Sequence, residues 1–106
     1  MLQITYRHMT SSDSVHDLAS EKFAKISEYF DESTRCHLVV DCCSGHARKE
    51  EQFVAHVELV VGAADLRIDA TAAHELAATA VRKAFEHIER QVASRHGRGL
   101  LHLRVS

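Results

Sequence analysis

His74 to Arg95 reads HELAATAVRKAFEHIERQVASR. Its apolar side chains fall at Ala77, Ala80, Val81, Ala84, Phe85, Ile88 and Val92. That i, i+3, i+4, i+7 spacing predicts an amphipathic helix with one buried face. At ~100° per residue, Lys83, His87 and Arg90 fall on one flank of the apolar arc. Glu75, Glu86 and Glu89 fall towards the other flank, with Arg82 among them. A core face, a basic flank and a mainly acidic flank therefore share one helix. Gly97 and Gly99 are expected to end it.

Upstream, a second helix is expected from about Asp13 to Phe30, with apolar positions at Val15, Leu18, Ala19, Phe23, Ile26 and Phe30. Ser12 or Asp13 can cap it by accepting from a free backbone N–H. Lys22 and Lys25 lie beside its core face, on the rotational side of the other helix's basic flank. Four stretches read as strands: Leu2–Arg7, Arg35–Cys43, Phe53–Val61 and Leu66–Ala70. Period-2 alternation and β-branched residues carry that reading. The short spacing of the last three suggests an antiparallel meander. Residues 44–52 read as a polar loop, 62–65 as a turn, and LLHLRV at 100–105 as a short fifth strand or an ordered tail.

The order β-α-β-β-β-α implies an α+β fold. Both helices would pack on one face of a four-stranded sheet, as a two-layer sandwich. Phe23, Ile26, Phe30, Val81, Phe85 and Ile88 are the expected core. Residues 1–96 form one expected domain and 97–106 a C-terminal tail.

The 106 residues suit a single domain with a modest core. No apolar run approaches the ~20 residues of a membrane span, and the opening residues lack a signal-peptide pattern. The expected location is the cytoplasm, with no membrane partner. Net charge is −2, which argues against indiscriminate nucleic-acid binding. Its distribution is uneven. Residues 74–106 carry six basic and three acidic residues, a net of +3, while residues 1–73 carry 7 and 12, a net of −5. A local basic surface follows.

The nine histidines and three cysteines raise the question of a metal. Cys36 and His37 are adjacent in a strand and should point to opposite faces. Cys43-x-x-His46 lacks a second half-site. Cys43 with His46 or His56 has no oxyanion loop to support nucleophilic catalysis. The residues therefore point to no enzyme, no cofactor, no metal site and no small-molecule substrate, with the cysteines as packing residues. The remaining signal is the lysines and arginines of the two helices. Such cations neutralise RNA phosphates, and A-form RNA is recognised largely by shape and backbone. The α-β-β-β-α order is also that of double-stranded RNA-binding domains.

KFAKISEYF at 22–30 resembles the first-helix signature of the bacterial ribosome hibernation promoting factors and ribosome-associated inhibitors, the sigma-54 modulation protein-like family. IERQV at 88–92 resembles the family's second-helix pattern, and the opening LQITYRH is also similar. The resemblance covers about residues 1–95 and implies a short-form member. It implies a non-enzymatic, stress-response and stationary-phase regulator of translation. Such a protein binds rRNA of the small ribosomal subunit between head and body and idles the ribosome. By position, the resemblance carries RNA contact to Lys22, Lys25 and Arg90, with His87 where the family usually has lysine. Lys83 and Arg95 add to the same surface. Leu76-Ala77-Ala78 stands where the family commonly has Asp-Met-Tyr. The alternative is a protein-interaction module on the same fold with little RNA affinity, which the net charge of −2 favours.

Overall fold

A computed structural model describes residues 1–30, 33–44, 51–62 and 66–97, with no side-chain description for Ser44, Glu51 or residues 95–97. The elements are β1 (Leu2–Arg7), α1 (Asp13–Ser27), β2 (Thr34–Ser44), β3 (Glu51–Val61), β4 (Leu66–His74) and α2 (Ala77–Gly97). They build a four-stranded mixed sheet in the order β1-β2-β3-β4. β1 runs parallel to β2, with Leu2 opposite Cys36 and Tyr6 opposite Val40. β2, β3 and β4 form the expected antiparallel meander. A parallel pair cannot be closed by a hairpin, so α1 serves as the crossover between β1 and β2.

The alternation along the strands decides which face is covered. Cys36, Leu38 and Val40 of β2 point the same way as Ala55, Val57, Leu59 and Val61 of β3 and Ile68 of β4, and all are buried. Both helices lie on that face. α2 packs on β3 and β4; α1 rests mainly against α2 and touches β1 and β2. Ala80, Val81, Ala84, Phe85, Ile88 and Val92 of α2 complete the core with Val15, Ala19 and Ile26 of α1 and Phe30 just beyond it. Phe23, expected in the core, is only half-buried and packs against its margin.

Several boundaries differ from the sequence reading: β2 takes in Thr34 and Ser44, and β3 takes in Glu51 and Gln52, so that the β2–β3 ladder claims both ends of the expected 44–52 loop. β4 extends through Thr71–His74, past the expected strand end at Ala70 and into the start of the stretch read as helix. Local propensity favours helix in this alanine-rich run. The ladder to β3 overrides it, pairing Thr71 with His56, Ala73 with Val54 and His74 with Phe53. The chain then turns at Glu75 and Leu76, where the Leu76 N–H donates to His74 Nδ1 at 3.0 Å. α1 ends at Ser27 rather than Phe30. Its last turn tightens through Tyr29 N–H to Ile26 O and Phe30 N–H to Ser27 O. That turn separates two adjacent aromatics: Phe30 enters the core and Tyr29 stays 45% exposed. Ser12 is the N-cap, its hydroxyl accepting from Val15 N–H.

His8 closes β1 with a φ of 58°, an uncommon left-handed conformation for a side chain other than glycine. Its imidazole Nδ1 meets Asp41 Oδ1 at 2.9 Å, which ties the turn to β2. α2 runs through Gly97, one residue past the expected domain boundary. The rest of the expected tail, 98–106, lies outside the described residues, as do its fifth-strand alternative, most of the 44–52 loop and most of the 62–65 turn.

Candidate nucleic-acid interface

The phase of α2 is fixed by two contacts. Gln91 Nε2 donates to the backbone oxygen of Asp69 on β4 at 3.1 Å. Glu89 Oε1 lies 3.2 Å from Lys22 Nζ on α1. At ~100° per residue, Gln91 and Glu89 bracket the buried arc from opposite sides. Lys83, His87 and Arg90 follow the Gln91 side and turn outward, and all three are exposed. Lys83 and Arg90 are seven residues apart, about two turns, with His87 between them. Among the described residues, Lys83, His87 and Arg90 have no ion-pair partner within 4.0 Å.

The cations of α1 are placed differently. Lys22 is drawn into the seam between the helices, where its side chain is only 17% exposed beside Glu89. Glu89 Oε1 is itself shut off from solvent with no hydrogen-bond partner, so Lys22 supplies its compensating charge. The sequence reading put Lys22 and Lys25 on the side of the basic flank. In the structure α1 instead packs along the acidic flank of α2, where Lys22 meets Glu89. Lys25 is exposed and lies 4.0 Å from Glu21, one turn earlier on its own helix. Lys22 is thus held in the seam between the helices, while Lys25 and the α2 stripe are exposed. Arg95 belongs to α2, but its side chain lies outside the described residues.

No local signal in the sequence pointed to Glu89 as the partner of Lys22, since the pair forms only once the helices meet. Tyr29 was part of the resemblance but not of the expected site. With Lys25, Ile26, Glu89, Val92 and Ala93 it lines a groove of about 280 Å³ between the helices.

The other face of the sheet carries polar cross-strand pairs. His37 bonds Thr5 Oγ1 at 2.9 Å, and His56 Nδ1 bonds Thr71 Oγ1 at 2.7 Å. Arg67 lies 3.5 Å from Glu58. His56 Nε2 also lies 3.9 Å from Asp69, and the described residues contain no group of three potential metal ligands. Cys36 and His37 do point to opposite faces. Cys36 is buried, and burial pushes its thiol up to about 12. Cys43 is exposed, so the packing role expected of the cysteines does not extend to it. His46, the other half of the Cys43-x-x-His46 pattern, lies outside the described residues. Among the described residues no helix is long and apolar enough to cross a membrane.

Comparison with known proteins agrees with this architecture. The N-terminal domain of Thermus thermophilus Protein Y superposes with a TM-score of 0.68 at 17% identity, covering 85% of this chain and 91% of that one. A ribosomal subunit interface protein from Coxiella burnetii superposes with a TM-score of 0.68 at 13% identity, covering 91% and 97%. At these identities the likeness is one of fold. No curated protein sequence matches the chain. The family model described as sigma 54 modulation protein / S30EA ribosomal protein matches residues 2–99. The chain therefore belongs to the sigma 54 modulation protein / S30EA ribosomal protein family, a family of ribosome-associated factors rather than enzymes.

Proposed function

We propose that this protein is a cytoplasmic translation regulator that binds small-subunit ribosomal RNA and idles ribosomes under stress or starvation. The observation that carries this reading is the outward stripe of α2, where Lys83, His87 and Arg90 are exposed and Lys83 and Arg90 are unpaired among the described residues. Cations held by neighbouring carboxylates have little left for a phosphate. Unpaired ones release counterions when they bind, which ties affinity to ionic strength. Phosphate contacts would fix orientation, with little base readout from this stripe. Family membership supports the ribosome as partner, and the subunit interface protein of Coxiella burnetii shares the fold.

The test is co-sedimentation with purified small subunits across a salt series. The unmodified chain is expected to bind at low salt and release steeply as salt rises. Lys83→Glu with Arg90→Glu is expected to abolish co-sedimentation and leave the melting temperature nearly unchanged, since both side chains are exposed. Binding that survives the double reversal at moderate salt favours the protein-interaction module instead.

A further inference from the structure

We propose that the groove between the end of α1 and α2 is a stacking site for an unpaired nucleobase of RNA, with the Tyr29 ring as its platform. The inference rests on the ribosomal-RNA reading above and adds a second, chemically different contact to it.

Tyr29 lies just past the last turn of α1, 45% exposed, while its neighbour Phe30 is buried. The groove beside it has an apolar floor of Ile26 and Val92, both 2% exposed. Its volume of about 280 Å³ sits at the low end of ligand pockets, which run ~300–1,000 Å³. That suits a flat ring system better than a long chain.

The charges favour a base over a phosphate inside the groove. Glu89 lines one wall. The C-terminal end of α1 opens beside it, and a helix C-terminus carries partial negative charge. Lys22 offsets the charge of Glu89, so these walls offer a phosphate no unpaired cation, and the partial negative charge of the helix end disfavours an anion. The cation is at the rim instead. Lys25 lines the groove, and its side chain is 62% exposed with only a 4.0 Å contact to Glu21. A nucleotide placed with its base on Tyr29 can leave its phosphate at Lys25. This is the usual division of labour in single-strand recognition, where aromatic rings take bases and cations track the backbone. The outward stripe of α2 has no exposed aromatic to offer, so the two contacts separate by chemistry.

The chain has no tryptophan, so Tyr29→Trp places a sole indole at the platform. Its emission is read during titration with a short single-stranded oligoadenylate and with an abasic oligomer of equal length and charge. Quenching by the first and not the second is expected. In the otherwise unaltered chain, Tyr29→Ala is expected to weaken oligoadenylate binding roughly five- to a hundredfold, and Tyr29→Phe to keep it. Melting curves of the three variants confirm that each is folded. Equal binding of the two oligomers, or a Tyr29→Ala chain that binds oligoadenylate unchanged, overturns the stacking site. Quenching only by an aromatic peptide overturns it in favour of a protein partner. Small-subunit co-sedimentation distinguishes the two proposals. If it depends on Lys83 and Arg90 while the oligomers bind alike, the RNA reading stands and the base site falls. If the unmodified chain fails to co-sediment at low salt, the RNA reading itself falls.

Discussion

The two helices answer the same problem in different ways. Among its described residues α2 buries six side chains, packing on β3 and β4, and Lys83 and Arg90 turn away from that face. α1 buries three of 15, and Lys22 is turned inward to meet Glu89. A helix seated squarely on a sheet can hold the core with one face and leave the other for a partner. A helix seated at the margin must use part of its polar surface to hold its neighbour. The same residue type, lysine, is therefore a fastening at Lys22 of α1 and an exposed cation at Lys83 of α2.

The contrast breaks first at the core. Phe85→Ala is expected to cost about 3–5 kcal/mol and Ile26→Ala the lower part of about 2–5 kcal/mol, both read by urea unfolding. The groove beside Ile26 gives that site room to relax, and Phe85, fully enclosed, has none. Equal losses would mean that α1 is anchored as firmly as α2.

A smaller effect sharpens the comparison of the lysines. Lys22→Ala leaves Glu89 Oε1 buried without its cation. The expected loss is about 1–3 kcal/mol, between the scales for exposed and buried pairs. Lys83→Ala is expected to leave stability alone and to lower the logarithmic salt slope of small-subunit binding by about one. Paired measurements of melting and binding on both variants check this. A Lys22→Ala chain that melts normally would dissolve the distinction between fastening and contact.

The smallest perturbation concerns the thiols. Burial raises the Cys36 thiol to about 12, so it stays protonated in the folded chain where an unfolded thiol ionises. This stabilises the fold up to the ordinary thiol range near pH 9.0. The contribution declines as pH rises from there through the folded value. Cys43 is exposed on the opposite face. A thiol reagent at neutral pH is expected to label Cys43 in the native protein and Cys36 only after denaturant is added, as mass spectrometry would read.

Most of the architecture was legible because each element carries its own period. Leu2–Arg7 matched to the residue, and the apolar spacing of α2 named its whole buried face. What the sequence reading missed depends on partners distant in the chain. Thr71–His74 is strand because β3 lies beside it. Phe23 is marginal because α1 sits at the edge of the layer. The pairing of Lys22 with Glu89 was not legible, because helical phase says which flank a side chain occupies and not which flank the neighbouring helix will cover. Tertiary packing decides that, and it brings Lys22 to Glu89 from 67 positions along the chain.

The position of α2, last in order and over β3 and β4, has a consequence for how the chain comes into being. Synthesis delivers the meander first, its apolar face carrying Ala55, Val57, Leu59 and Ile68. At ~5–20 residues per second, the face stays uncovered for seconds while the segment that shields it is still being made. The hairpin pairings are local and can form early. The parallel seam of β1 with β2 requires a longer loop to close, and the core is sealed only when Phe85 and Ile88 arrive. During that interval, the same strands that specify the fold are a template for pairing with the wrong chain.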